Sequence, residues 1–420
     1  MATQGLTSLS RKATPNGLQE RQGVSPALTS SEPGRFDAEG LSLSGIGEAT
    51  NKHSEGSPNI GVGGENMRIP IVSVEGKMLM PTTPTKARKL MRGEQAVGRR
   101  SKLGIFYIQM LRPVGDRVQE LGLACDPGSM FDGYAVASEK ETNVKGMGIL
   151  PKGIAKKLVN RRQLRRDRRY RNTRRRPCRF DNRRRMDGWI VPSQKAKVDF
   201  KLKVMRELCR LYPIANIIVE DVRFNHYKKR WGRFFSTVEI GKEYLYRELE
   251  RLANLVKVDG WETSEAREKY GIKKVSDKEA LTPESHANDA VAMLSKHYCK
   301  NVDSPTSFFV WNAYNPVRRQ LHKQNPRKGG IRPNYGGTVS KHGIRKGDFV
   351  EATVKGEKFH GWTCSFSDTQ IGIADFLGKR FAIPTIRNIN LVHRATGVLY
   401  SEFLSHQTVG LEGVSFGGIR

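Results

Sequence analysis

Apolar and polar positions follow four different rules along the chain, and the borders between them divide it into segments. Residues 1–66 keep no sustained period. Of these 66, 29 are Ser, Gly, Thr or Pro, which leaves too little apolar surface to offset ordering entropy, so a disordered N-terminal extension is expected. From 67 to 113 the pattern predicts a strand at 69–74, a Glu75-Gly76 turn, a short basic helix at 85–92 and a strand at 105–110, together a small separate module. Residues 114–300 alternate strands and helices as one α/β domain. It opens with a strand at 118–126, a Pro127-Gly128-Ser129 turn, an antiparallel strand at 131–137 and a third near 144–150. There follow an amphipathic helix at 196–211, a buried strand at 216–221, a helix around 242–256 and a last helix after Thr282-Pro283. Beyond 306, short Gly-punctuated strands at 307–311, 348–354, 361–367, 370–375 and 380–383 predict a small barrel or sandwich.

Composition narrows the possible partners. The chain has 420 residues, with 73 Lys and Arg against 42 Asp and Glu, a net charge of +31. Such self-repulsion opposes compaction unless a polyanion neutralises it, and nucleic acid is the first candidate. The 37% apolar share together with 42 glycines is ordinary for a globular protein and excludes a wholly disordered one. Cys125, Cys178, Cys209, Cys299 and Cys364 stand singly, without a CxxC pair, against a disulfide framework or a zinc ribbon. No apolar run approaches the roughly 18 residues of a membrane span, and the first thirty residues lack a secretory core. The expected location is the cytoplasm, in association with the nucleoid, with no secretion and no membrane partner. Seven acids in 1–66 argue against an organellar transit peptide, and the abrupt change at Met67 makes that residue an expected natural start of translation.

The charge is concentrated. Residues 161–185 hold 14 Arg and 2 Asp, so +12 of the +31 lies in 25 residues. In a helix expected within 155–186, Arg161, Arg162, Arg165, Arg166, Arg168, Arg169, Arg174 and Arg175 project around nearly the whole circumference. They leave no apolar stripe to dock on a core. Phosphates can surround such a helix, and the planar guanidinium fork suits RNA, where it grips two oxygens or stacks on a base. Arg179 and Arg183 continue the tract beside Phe180, with Trp189 just beyond to pin its end. A disordered basic tail is the plainer reading, but the tract interrupts a folded domain between two strands.

Four residues far apart along the chain describe a site. Asp126 ends the first strand of the α/β domain, where alone it reads as a turn former. Glu220 and Asp221 close the apolar strand Ile217-Ile218-Val219, where an acid needs a partner to offset its desolvation. In the last helix Thr282 is the expected N-cap and Pro283 the first helical residue. Ala287, Ala290, Val291 and Leu294 repeat as a buried stripe, with His286 and Asp289 along its edge. Acids at two strand ends and His-x-x-Asp on a closing helix describe how an RNase H-type sheet gathers carboxylates. Asp126, Glu220 and Asp289 are hard oxygen ligands suited to Mg²⁺, two ions expected and Mn²⁺ as a substitute, and they imply metal-dependent nuclease chemistry. His286 is the expected activator of the attacking water.

Five motifs in order then resemble a known family. Met78-Leu79-Met80-Pro81-Thr82-Thr83-Pro84 resembles the PLMP motif of the transposon-encoded IscB and IsrB proteins, with Met78 in place of the first proline. Cys125-Asp126-Pro127-Gly128-Ser129 is similar to their first RuvC motif, 161–185 to their bridge helix, Val219-Glu220-Asp221 to the second RuvC motif and His286-Ala287-Asn288-Asp289-Ala290 to the third. The resemblance, from about Met67 onward, implies a protein that binds a structured guide RNA, the ωRNA. Base pairing then directs it to double-stranded DNA beside a short target-adjacent motif, as a monomer within a ribonucleoprotein. IscB proteins carry an HNH nuclease between the second and third RuvC motifs. Here only 65 residues separate Glu220 from His286, with His226 their sole histidine, so the closer likeness is to IsrB and to nicking of the non-target strand.

The same resemblance organises the remaining basic stretches. In 227–235 cations alternate with rings, and Lys228, Arg230 and Trp231 are candidates to stack and steer single-stranded DNA, against a basic loop whose aromatics pack on the core. Residues 318–346 hold nine Lys or Arg and no acid. By resemblance this stretch, with Arg318, Arg319 and Arg332, joins the following β module in binding guide RNA and inspecting the target-adjacent motif, against a solvated linker before a structural barrel. The expected fold is thus α/β, an RNase H-like RuvC core at 114–300 interrupted by the Arg-rich bridge helix at 155–186. A PLMP-like module at 67–113 precedes it and a basic linker with a β-rich module at 301–420 follows. A non-catalytic RNA-binding protein of ribosomal type and a guide-independent RuvC-type junction resolvase are the rival readings.

Overall fold

The computed structural model describes residues 68–115, 117–170, 186–221, 223, 237–277, 280–298, 307–315, 338–354 and 356–404. The expected extension at 1–66 lies outside them. So do Arg174, Arg175, Arg179, Arg183, Lys228, Arg230, Trp231, Arg318, Arg319 and Arg332, and the side chain of Arg168.

The first segment folds as β1 (Ile69–Val72), β2 (Met78–Thr82), α1 (Pro84–Arg92), β3 (Ala96–Arg100) and β4 (Phe106–Met110), a four-stranded sheet in the order β2-β1-β4-β3. Pattern reading omits β2 and β3. The first contains Pro81, which lacks an N–H and is accommodated because β2 is an edge strand. Thr83 caps α1, its hydroxyl accepting from the Lys86 N–H at 3.4 Å.

The central sheet begins with β5 (Leu121–Asp126), β6 (Phe131–Ala137) and β7 (Thr142–Ile149), an antiparallel meander. After α2 (Ile154–Tyr170) and α3 (Pro192–Leu211), β8 (Ile214–Glu220) pairs parallel with β5. Next come α4 (Lys242–Glu250) and β9 (Asn254–Val258), parallel to β8. The order β7-β6-β5-β8-β9 is consistent with an RNase H-like core. The helix expected over 242–256 therefore ends at Glu250. Leu255, Val256 and Val258 are strand formers that find a hydrogen-bonding partner in β8, and tertiary pairing overrides the helical period. Of the arginine segment, α2 exposes Arg161, Arg162, Arg165 and Arg166 and half-buries Arg169.

The chain continues through α5 (Gly260–Lys269), α6 (Pro283–His286) and α7 (Asn288–His297), so the expected last helix is two pieces meeting at Ala287. Ala290, Val291, Met293 and Leu294 of α7 pack on Ala124, Ala135, Ala137 and Ile218 of the sheet. Small side chains beneath let the helix lie close.

Next in sequence is β10 (Ser307–Ala313), which is not the first strand of the C-terminal module as expected but pairs parallel with β7. Its apolar run Phe308-Phe309-Val310-Trp311 is wholly buried, as a strand covered on both faces requires. A separate five-stranded antiparallel sheet follows, from β11 (Phe349–Val354), β12 (Glu357–Phe366), β13 (Ile371–Ala374), β14 (Arg380–Ala382) and β15 (Ile389–His393). The chain then returns as β16 (Val398–Leu404), antiparallel to β10 at the edge of the central sheet. Trp362 and Phe376 from the five-stranded part pack with Met147, Ile149, Phe308 and Leu399 of the central one. Among the described residues no helix is long and apolar enough to cross a membrane.

Trp311 joins two sheets: its indole N–H donates to the Leu103 carbonyl, in the turn between β3 and β4, at 2.9 Å. Trp311→Phe leaves that buried carbonyl unsatisfied and is expected to lower stability by about 1–3 kcal/mol, read from urea denaturation.

Candidate active site

The parallel register of β5 and β8 creates the site. Cys125 is the partner of Val219, so the next residues, Asp126 and Glu220, end adjacent strands at the same edge of the sheet. Neighbouring strands lie about 4.7–4.9 Å apart, so the two carboxylates cannot avoid each other's field. On the other side Asp126 pairs with Gly133 of β6. A Cβ on Gly133 would stand 1.9 Å from the His286 carbonyl oxygen, so only glycine lets the end of α6 rest on the sheet there. The His286 ring stacks obliquely on Phe131, centroids 4.6 Å apart. One turn on, Asp289 is buried in the first turn of α7.

The electrostatics record this convergence. Asp126 keeps a little accessible surface, but sheet and helix enclose its carboxyl. That enclosure, then the charges of Glu220 and Asp289, push its pKa up to about 8. Burial and then Asp289 likewise raise Glu220, opposed by Lys274 and Arg267. Glu220 lies against the N-terminus of α5, its Oε1 3.0 Å from where a Cβ on Gly260 would stand.

Cations balance Asp289. Arg267 of α5 donates to its Oδ1 at 2.8 Å, and Lys274, from the loop after α5, donates to Oδ2. The loop is strapped to α6 and α7 by Val275 N–H to the Glu284 carbonyl at 3.1 Å and by Asn288 Nδ2 to the Lys273 carbonyl at 2.7 Å. With both Asp289 oxygens engaged, the acids stop short of a metal cage. Among the described residues no three His, Cys, Asp or Glu side chains are grouped to hold an ion. Pattern reading misses Arg267 and Lys274, because nothing in a Lys or Arg on an exposed stretch announces which acid it meets.

Asp221, beside Glu220, has a different task. Burial alone would raise its pKa, but Lys242, Arg223 and Tyr246 all donate to it and hold it at about 2. It ties β8 to α4, the Tyr246 hydroxyl lying 2.8 Å from Oδ1.

The family model described as RRXRR protein matches residues 69–267, a little under half of the chain. That family is found in IscB- and IsrB-type proteins. Over that span the chain is similar to this family. T. thermophilus RuvC, solved in complex with a Holliday junction substrate, aligns over 43% of this chain and 92% of its own, at 13% identity and a TM-score of 0.26. No curated protein matches.

The raised Asp126 carboxyl fixes a sign. Its native form holds a proton that the unfolded chain releases above about pH 3.8, so this group's contribution to stability is present at low pH and is lost as pH rises toward 8. In chelator-treated protein the melting temperature is expected to fall from pH 5 to pH 8, and Asp126→Asn to flatten that slope. Thermal denaturation across that pH range measures both.

Proposed function

We propose that this protein is an RNA-guided DNA nickase of the IsrB type, with one RuvC-like site that hydrolyses a phosphodiester of the non-target strand. The observation that carries the reading is the pairing of Asp126 and Glu220 at adjacent parallel strand ends, with Asp289 close enough to raise both. Like charges crowded in a poorly solvated place are relieved by a cation, and an all-oxygen donor set selects a hard one such as Mg²⁺ or Mn²⁺. Asp126, Glu220 and Asp289 would hold it once Asp289 exchanges Lys274 for the ion. A bound pair of such ions supplies Lewis acidity toward attacking and leaving oxygens. His286, braced on Phe131 at the entrance of α7, orients the water and accepts its proton. Arg267 and Lys274 keep positive charge where the phosphodiester's negative charge arrives.

Three features support the remainder of the reading. The exposed arginines of α2 offer guanidinium groups to an RNA backbone without a core to compete for them. The RRXRR similarity covers the N-terminal module, α2, β8 and β9. The interval between Glu220 and His286 supplies α4, β9 and α5 to the core itself, in keeping with a protein lacking a second nuclease domain. Guide RNA, the ωRNA, and double-stranded target DNA with a target-adjacent motif are the partners in this reading.

A supercoiled plasmid carrying the target, incubated with the protein, its co-purified RNA and Mg²⁺, decides. Open circles that depend on the guide and fall to background with Asp126→Ala support the nickase. RNA binding without nicking favours a ribosomal-type binder, and guide-free cutting of branched DNA a resolvase. Lys274→Met removes the ammonium that competes for Asp289 and is expected to tighten Mn²⁺ binding several-fold by electron paramagnetic resonance titration. Unchanged or weaker binding would show that Lys274 does not oppose the ion.

A further inference from the structure

An ion pair inside the core takes no part in the chemistry above. Asp132 stands within β6, and its side chain is fully buried; Lys201, on α3, leaves only 6% of its side chain accessible. Their Nζ to Oδ1 distance is 2.8 Å. An apolar pair of the same volume generally serves stability as well as or better than a buried ion pair, so the charges call for another explanation.

The other bonds of the pair supply one. Lys201 Nζ also donates to the Gly128 carbonyl at 3.1 Å, and the Gly128 N–H donates to Asp132 Oδ1 at 2.9 Å. One anion and one cation thus hold the donor and the acceptor of a single residue, which two apolar side chains cannot do. The Tyr134 hydroxyl donates to Asp132 Oδ2 at 3.2 Å and fixes the carboxylate in turn. One turn earlier on α3, Lys197 donates to the Ser129 carbonyl at 2.5 Å. Gly128 has no space for a side chain, because a Cβ would lie 1.8 Å from the Phe131 carbonyl oxygen. The bonds to backbone fall on Gly128 and Ser129, two of the three residues that follow Asp126. Lys201 further lines a cleft with Pro127, Glu220, Lys242 and Tyr246, so the clamped turn forms a wall beside Glu220.

We propose that Asp132 and Lys201 are positioning residues for Asp126. By locking the 127–129 turn they fix the Asp126 side chain at the end of β5 beside Glu220 and Asp289, so that the site is organised before a cation or a DNA strand arrives. The inference rests on the nuclease reading of that site.

The test uses the ribonucleoprotein purified with its own RNA. Lys201→Met combined with Asp132→Asn removes both charges at nearly constant volume and leaves no lone buried ion. The double variant is expected to keep its melting temperature within a few degrees and its guide-directed DNA binding. It should lose at least tenfold in single-turnover nicking and weaken Mn²⁺ binding by a similar factor. Lys201→Arg, which restores a cation, should recover most of both. Should the double variant fail to fold, Tyr134→Phe takes its place, with a loss of about threefold expected in the same two measurements. A folded variant with parental rate and parental Mn²⁺ affinity overturns the positioning role alone. A parent protein that neither binds Mn²⁺ nor nicks overturns the nuclease reading, and this inference with it.

Discussion

Like charge held at close quarters is the constraint around which this molecule is organised. Parallel pairing of β5 with β8 forces Asp126 and Glu220 to the same edge, and α7 brings Asp289 down upon them. No solvent shell can screen that crowding, so the neighbourhood is built from counter-charges: Arg267 and Lys274 on Asp289, and Lys242 and Arg223 on Asp221 next door. The small residues of the sheet beneath α7 serve the same end, since a helix held further off would leave Asp289 out of range.

The parts of this arrangement that sequence pattern reveals are those in which a local run ends in an acid. Leu121 to Cys125 and Ile217 to Val219 are uninterrupted apolar strands, and the acid that closes each is conspicuous because burial makes it expensive. His286 and Asp289 are legible for a similar reason, beside a helical stripe of Ala and Val. What pattern cannot reveal is partnership across the chain. The strand β9 reads as the tail of a helix until β8 is beside it, and β10 reads as the start of a C-terminal barrel until β7 claims it. Lys201 and Lys274 are ordinary lysines in sequence, and only their neighbours distinguish them. Asp132 carried a signal that could have been used: an aspartate inside an apolar strand contradicts its own propensity and demands a buried partner.

Positive charge in this protein therefore has two separate settings. Buried or half-buried cations balance the acids of the core one by one, at distances of ordinary hydrogen bonds. Arg161, Arg162, Arg165 and Arg166 of α2 instead stand exposed at the surface.

The return of the chain as β16 gives the C-terminal sheet an unusual relation to the core. Ala313 at the end of β10 and Val398 at the start of β16 are paired partners, so everything from 314 to 397 leaves and re-enters the central sheet at one point. A segment grafted in this way behaves as a cassette within a hairpin. Insertions or deletions between those two residues that keep Trp362 and Phe376 on the central sheet need not shift the strands that carry the acids, whereas deletion from the C-terminal side would strip β16 and uncover the backbone edge of β10. Change in the sequence of the cassette is thereby uncoupled from the strand pairing that sets Asp126 beside Glu220.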